Sequence, residues 1–213
     1  MTKVKKLIIA CDGESGSGKS TAAKLISKKY GLLLINSGLI YRYCSKLIIK
    51  NKPKNIISFL KRKLSTVSYN RITKLNLHTE VISNHVAVLA KNNKVRRIVN
   101  QLQIKMISNN NRICVEGRDI ASKILSKKPK YDVAFYFKCS LNIASYRRWL
   151  DIKKSVSLKE VKKSLKMRTN LDKKRKNSPL IRVKDAILIR TDQLNKKQVL
   201  DKMSKSVEKV IKS

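Results

Sequence analysis

The sequence predicts an α/β fold built on a five-stranded, parallel, doubly wound sheet. Five short apolar runs, typical of buried strands, cover residues 6–11, 32–35, 112–115, 133–137 and 186–189. Segments with helical spacing of apolar residues separate these runs, and such alternation is typical of parallel sheets covered by helices. A glycine-rich loop follows the first run, at the strand end where sheets of this kind bind their ligands.

This loop fits the pattern G-x-x-x-x-G-K-[ST]. It consists of Gly13, Glu14, Ser15, Gly16, Ser17, Gly18, Lys19, Ser20 and Thr21. Glycines allow the backbone N–H groups and the following helix to approach phosphate oxygens closely. The pattern predicts a site for a nucleoside triphosphate, in which Lys19 reaches the β- and γ-phosphates and the Ser20 hydroxyl binds Mg²⁺. A helix through Tyr30 follows, and Gly31 ends it.

The next part of the chain departs from the strand–helix alternation. Residues 51–78 form a predicted insert, within which the composition of residues 65–73 favours a small β-hairpin. A long helix is predicted over residues 79–107, with a break at Asn92 and Asn93. Ser157 and Glu160 have the spacing of a capping box, which predicts the start of another helix. We expect residues 147–175 to form a lid, and residues 196–211 the last helix.

Arginine is the second signal for a site. The chain has 38 lysines and only 13 arginines, so an arginine indicates a position that needs a planar, bidentate guanidinium. The candidates at or near strand ends are Ser37, Arg42, Arg96, Arg118, Asp119, Arg168, Asp172 and Arg175. The last three have the i, i+4, i+7 spacing of one helical face. The alternatives are surface charge patterns, helix-stabilising ion pairs and a helix cap at Ser37. A site is favoured because all these residues are expected near the same strand ends, beside a phosphate loop.

The net charge of +38 has two interpretations. A basic surface attracts nucleic acids, whereas a chain rich in Lys, Asn and Ile also results from an A/T-rich genome. The lysines are spread over the whole length, so we favour compositional drift and expect no specific nucleic-acid partner. The four cysteines lack C-x-x-C spacing, which indicates buried thiols in a reducing cytoplasm. No run of about 18 apolar residues is present, and we expect no membrane span.

With these motifs in view, the chain resembles the bacterial cytidylate kinases, a family of P-loop nucleoside monophosphate kinases. The resemblance covers nearly the whole length. It rests on the phosphate loop, on the string Ser37-Gly38-x-Ile40-Tyr41-Arg42, on Val95-Arg96, on Gly117-Arg118-Asp119-Ile120 and on Arg168-x-x-x-Asp172-x-x-Arg175. It implies a P-loop kinase fold with a small insert for the nucleoside monophosphate and a helical lid. It also implies transfer of the γ-phosphoryl group of ATP to CMP or dCMP by a monomer.

The resemblance further implies roles for individual residues. Ser37, Arg96 and Asp119 would read the cytosine ring, and Arg168 and Asp172 the sugar. The acceptor phosphate would lie on Arg42, Arg118 and Arg175. Arg147 and Arg148 match the lid arginines of the family. The groups expected to act on the reacting phosphoryl group, or to hold it in place, are Lys19, Arg118, Asp119, Arg147, Arg148 and Arg168.

Two departures bear on the substrate. The insert at residues 51–78 is shorter than in the family, which weakens the case for cytosine over other bases. Glu116 stands where the family more commonly has aspartate before Gly-Arg-Asp, so the charge is kept. The alternatives are another small P-loop kinase, acting on UMP, AMP or a metabolite, and a basic nucleic-acid-binding protein with a P-loop.

Overall fold

The computed structural model describes residues 6–212, apart from the side chains of residues 80, 84 and 87, and the chain divides into two compact units. The first unit extends to residue 34 and resumes at residue 110, and the second comprises residues 35–109. The strands are β1 Leu7–Gly13, β2 Leu33–Asn36, β3 Arg112–Gly117, β4 Val133–Lys138 and β5 Ile187–Arg190. The helices are α1 Lys19–Tyr30, α2 Ser37–Asn51, α3 Ile56–Ser65, α4 Tyr69–Thr73, α5 Glu80–Leu89, α6 Asn93–Ser108, α7 Leu141–Asp151, α8 Leu158–Lys173 and α9 Lys196–Lys212.

The strands form one sheet in the order β2–β3–β1–β4–β5, which confirms the predicted five-stranded parallel arrangement. Strand β1 pairs with β3 on one side and with β4 on the other. All seven of its residues are buried, because both neighbours and the helices above and below exclude water. The loop that follows β1 therefore begins at the centre of the sheet, where the strand order reverses.

Apolar residues of the strands and of two helices form the core of the first unit. Phe135 and Phe137 of β4 are fully buried and pack with Ile9 of β1. Helix α9 adds Met203 and Val207 to the same cluster. These contacts fix β1 and β4, and with them the two strand ends that flank the glycine-rich loop.

The predicted hairpin at residues 65–73 is wrong. Helix α3 occupies residues up to Ser65, and α4 covers Tyr69–Thr73. Leu60 and Leu64 are buried one helical turn apart, and the Ser68 hydroxyl accepts from the N–H of Arg71 to cap α4. Local capping and i, i+4 burial therefore outweigh the β preference of the intervening Thr and Val residues.

The predicted long helix is divided at the expected break. Helix α5 ends at Leu89 and α6 begins at Asn93, so one helix over residues 79–107 is wrong and the break is confirmed. The Asn92 side chain accepts from the N–H groups of Lys94 and Val95. An asparagine cap satisfies two otherwise unpaired donors and starts a new helix there.

Other local predictions are confirmed. Ser157 and Glu160 form the expected capping box at the start of α8, with both reciprocal hydrogen bonds present. All four cysteines are free and buried, and Cys11 and Cys114 lie 3.8 Å apart between their Sγ atoms on neighbouring strands. Their mutual hydrogen bond, with burial, raises the pKa of the Cys11 thiol well above its usual value. Within residues 6–212, no helix combines the length and apolar character needed to cross a bilayer.

Candidate active site

The glycine-rich loop has the backbone geometry of a phosphate loop. A Cβ atom added at Gly13 would lie 2.4 Å from the carbonyl oxygen of Phe137, so this close approach requires glycine. Gly18 has a φ of 76° and stands as the N-cap of α1. The Glu14 N–H donates to Phe137 O at 3.1 Å, and the Ser17 hydroxyl donates to Glu14 O at 2.8 Å. The start of the loop is thus fixed to the end of β4, and the helix dipole of α1 points into it.

Lys19, the lysine of the loop, is paired with a buried carboxylate. Its Nζ lies 2.8 Å from Glu116 Oε2 at the end of β3, and the two side chains are 7% and 1% exposed. Burial raises the pKa of Glu116, but the charge and hydrogen bond of Lys19 and a hydrogen bond from Ser20 outweigh it and lower the pKa. Glu116 is therefore an anion at neutral pH. It holds the ammonium group over the loop, and its carboxylate also accepts a hydrogen bond from the Ser20 hydroxyl.

Two arginines meet on one buried carboxylate next to the loop. Arg118 donates through Nε to Asp172 Oδ2 at 2.8 Å, and through Nη2 to Ser15 Oγ at 3.2 Å. Arg175 forms an ion pair with the other oxygen of Asp172. Asp172 is only 3% exposed, so both pairs are shielded from water and hold the guanidinium groups in place.

The position of Arg175 corrects the sequence interpretation. Helix α8 ends at Lys173, so Arg175 lies beyond it and does not share a helical face with Arg168 and Asp172. The chain instead turns back, and the N–H of Leu180 donates to the main-chain oxygen of Asp172. Arg168 is an exposed residue of α8, one turn before Asp172.

Asp12 is a site residue that the sequence interpretation missed. Its two carboxylate oxygens accept from the N–H groups of Ile120 and Ala121 at 2.9 and 2.8 Å. These residues directly follow Arg118 and Asp119, in a single turn of π-helix over Ile120–Ile124. Burial raises the pKa of Asp12 to about 6, although both hydrogen bonds oppose the shift. The available signal was a lone acidic residue at the end of a fully apolar strand.

The two predicted lid arginines have different surroundings. Arg147 donates through Nη2 to the carbonyl oxygens of Thr191 and Asp192, at 2.9 and 3.2 Å, beyond the end of β5. Thr191 in turn donates through its hydroxyl to Ser17 O in the phosphate loop. Arg148 is an exposed side chain on α7. The structure thus connects Arg147, but not Arg148, to the loop through these hydrogen bonds.

The remaining candidates lie in the second unit, and the alternative of a helix cap at Ser37 is wrong. Asn36 is the N-cap of α2, because its side-chain oxygen accepts from Leu39 N at 3.2 Å. Since Asn36 fills the cap position, Ser37 is the first residue of the helix and not its cap. The Ser37 hydroxyl instead donates to Gln103 Oε1.

Arg42 and Arg96 are both held by contacts within the second unit. Arg42 donates through Nη1 to Leu77 O at 3.0 Å and to Ser83 Oγ at 2.9 Å. Arg96 is 6% exposed, and its guanidinium carbon lies 5.9 Å from the centre of the Tyr41 ring. Both guanidinium groups therefore have fixed positions at the start of α2 and of α6.

A bound magnesium nucleotide fits the chemistry of the first unit. The described residues include no cluster of three or more His, Cys, Asp or Glu side chains suited to holding a metal alone. Mg²⁺ usually takes one or two protein oxygens together with phosphate oxygens and water. Ser20 and the anionic Glu116 supply oxygens of that kind beside Lys19.

The parallel sheet and the phosphate loop together define the class of P-loop kinases. A solved shikimate kinase from Bacteroides thetaiotaomicron has this fold, with a TM-score of 0.51 at 9% identity over 95% of this chain and 98% of that one. A family model described as cytidylate kinase matches residues 9–209. The cytidylate kinase of Clostridium botulinum (strain Okra / Type B1) is 31% identical over 94% of this chain and 97% of its own. That of Fusobacterium nucleatum subsp. nucleatum is 31% identical over 96% and 98%. The chain belongs to the cytidylate kinase family.

Proposed function

We propose that the protein transfers the γ-phosphoryl group of ATP to CMP or dCMP, giving ADP and CDP or dCDP. The observation that carries the proposal is the cluster in the first unit. A phosphate loop, a lysine held by a buried carboxylate, and two arginines bridged by Asp172 lie together in it. Membership of the cytidylate kinase family supports the choice of acceptor. The family also supports a cytoplasmic role in pyrimidine nucleotide metabolism.

The donor would bind along the loop from Gly13 to Thr21. Backbone N–H groups and the start of α1 would surround its phosphates, and Lys19 would contact the β- and γ-phosphates. A bound Mg²⁺ would supply positive charge that offsets the negative charge of the phosphate oxygens. Ser20 would bind this ion, with Glu116 next to it.

Three sets of residues would bind the acceptor. Arg118, Arg175 and Arg42 would bind its phosphate, and the planar guanidinium fork suits that group. Arg168 and Asp172 would contact the sugar. Ser37, Arg96 and Asp119 would contact the base, and we propose residues 51–78 as the reduced insert around the monophosphate. Because both oxygens of Asp172 already bind arginines, its part includes positioning Arg118 and Arg175.

Transfer would rest on positioning and charge, without a strong general base. Phosphoryl transfer spreads negative charge over the transferred group, and fixed cations stabilise that charge. Lys19, Arg118, Arg147, Arg148 and Arg168 would supply these cations, and Asp119 would orient the acceptor. Closure of a lid over residues 147–175 would exclude water, which otherwise competes as acceptor.

The test is a substrate panel. ADP release is measured with CMP, dCMP, UMP and AMP as acceptors, with ATP and Mg²⁺ in excess. We expect CMP and dCMP to give the highest kcat/KM. Equal or faster turnover of AMP or UMP would overturn the assignment to cytidine. Turnover of none of the four, with ATP still bound, would favour the metabolite kinase alternative.

A further inference from the structure

The phosphate loop of this protein carries a negative charge of its own. Glu14 is the second residue of the loop, and its side chain is only 11% exposed. A carboxylate there repels a triphosphate, since like charges at short range disfavour each other, most of all where water is partly excluded. Its effect on ATP binding therefore depends on what neutralises it.

Lys173 is the residue that does so. Its Nζ lies 2.7 Å from Glu14 Oε1, and it belongs to the last turn of α8. The preceding residue, Asp172, binds Arg118, which in turn donates to Ser15 of the loop. The end of α8 thus contacts two successive loop side chains, one directly and one through an arginine.

The Glu14 main chain is anchored where it stands. Its N–H donates to Phe137 O, and its carbonyl oxygen accepts from the Ser17 hydroxyl. Both hydrogen bonds hold the Glu14 backbone at the loop, so its carboxylate is expected to stay near the loop when its partner is absent. Removing Lys173 would leave an uncompensated charge next to the proposed phosphate site, rather than a relaxed surface residue.

We propose that Lys173 is a positioning residue that sets the affinity for ATP by neutralising Glu14 and fixing it at the loop. This inference rests on the proposed function for the identity of the nucleotide. It concerns the donor side alone, so it does not depend on which monophosphate is the acceptor. It also separates Lys173 from the many other lysines of α8, which have no such partner among the described contacts.

The experiment is a double-mutant cycle on ATP binding, measured by isothermal titration calorimetry with Mg²⁺ and without an acceptor. The variants are Lys173→Met, Glu14→Gln and the two together, and circular dichroism verifies that each is folded. Lys174→Met is the matched control, because it removes the same charge from the adjacent residue, which is exposed like Lys173 but has no carboxylate partner among the described contacts.

We expect Lys173→Met to raise the Kd for ATP about fivefold, or about 1 kcal/mol. Lys174→Met should change it less than about twofold, because it breaks no ion pair with the loop. In the Glu14→Gln background, Lys173→Met should also have an effect below about twofold, because no charge remains to neutralise.

Two results would overturn the proposal: an equal effect of Lys173→Met in both backgrounds, or an equal effect of Lys174→Met. Either would mean that general electrostatic attraction, and not the pair with Glu14, determines the affinity. An inactive substrate panel with an intact coupling between Glu14 and Lys173 would instead refute only the proposed acceptor. Absence of any ATP binding by the unmutated protein would refute the proposed function and this inference together.

Discussion

Replacement of Asp12 by asparagine should change how stability depends on pH. Asp12 is 2% exposed, and burial raises its pKa from the ordinary 3.8 to about 6. This increase in pKa corresponds to about 3 kcal/mol between the two protonation states. The folded state holds this proton more tightly than the unfolded chain does. The stability that it contributes is therefore present below pH about 4 and lost as the pH rises through about 6.

Asparagine keeps one acceptor oxygen for one of the two N–H groups, of Ile120 and Ala121, and presents an amide NH₂ to the other. The loss of unfolding free energy caused by this mismatched N–H contact is the same at every pH, because asparagine does not titrate. The difference in unfolding free energy between the wild-type protein and Asp12→Asn should therefore shrink by about 2 kcal/mol between pH about 4.5 and about 7.5. Asp12→Ala leaves both N–H groups without their acceptor, and should cost about 2–6 kcal/mol.

The assay is urea unfolding followed by circular dichroism at both pH values. Asp132→Asn is the matched control, because Asp132 also accepts a backbone N–H, from Ile8 at 2.6 Å, but is exposed. It measures the effect of replacing a carboxylate acceptor at an exposed position. A constant difference for Asp12→Asn across this range would refute the argument that burial raises the pKa of Asp12.

Three further predictions concern the site and its helix. Lys19→Met should abolish turnover. It should also lower the unfolding free energy by about 3–5 kcal/mol, since it leaves Glu116 buried and unpaired. Adding Glu116→Gln should restore stability, measured by urea unfolding, but not turnover. Asp119→Ala should lower kcat/KM for CMP about tenfold or more, whereas the Kd for ATP should change less than about twofold. An equal loss in kcat/KM for CMP and in affinity for ATP would contradict a role at the acceptor. Ser157→Ala should cost about 1 kcal/mol of unfolding free energy by removing the cap of α8, whereas Ser164→Ala, in the exposed middle of that helix, should not destabilise.

The sheet could be predicted from the sequence because its signal is local. Each strand is a short run of mostly apolar residues. The three central strands, β1, β3 and β4, are buried on both faces, and such burial demands an apolar run. The hairpin predicted at residues 65–73 is wrong because the β propensity there is weak and a single serine, Ser68, determines where α4 begins. Side-chain caps of this kind act over three residues and compete with β preference over the same distance.

The phosphate loop could also be predicted, since its function fixes residue types at fixed spacing. The residues that contact the loop side chains could not be predicted from the sequence. Lys19 and Glu116 are 97 residues apart, and Arg118 and Asp172 are 54 apart. The pairing of β1 with β3 brings Lys19 to Glu116, and the end of α8 brings Asp172 to Arg118. The helical spacing of Arg168, Asp172 and Arg175 described a face that the end of α8 interrupts.

In so basic a chain, the scarce carboxylates mark the site better than the cations do. There are 13 acidic residues against 51 basic ones. Among the side chains that the structure describes, the buried carboxylates are Asp12, Glu116, Asp119 and Asp172, at the ends of β1 and β3 and in the last turn of α8. A buried carboxylate is costly unless it is paired or hydrogen-bonded, so each of these has a defined task. Glu116 holds a lysine, Asp172 holds two arginines and Asp12 holds the backbone behind Arg118. A surplus of lysine makes positive charge common everywhere, and these acids determine which few cations have fixed positions at the phosphate loop.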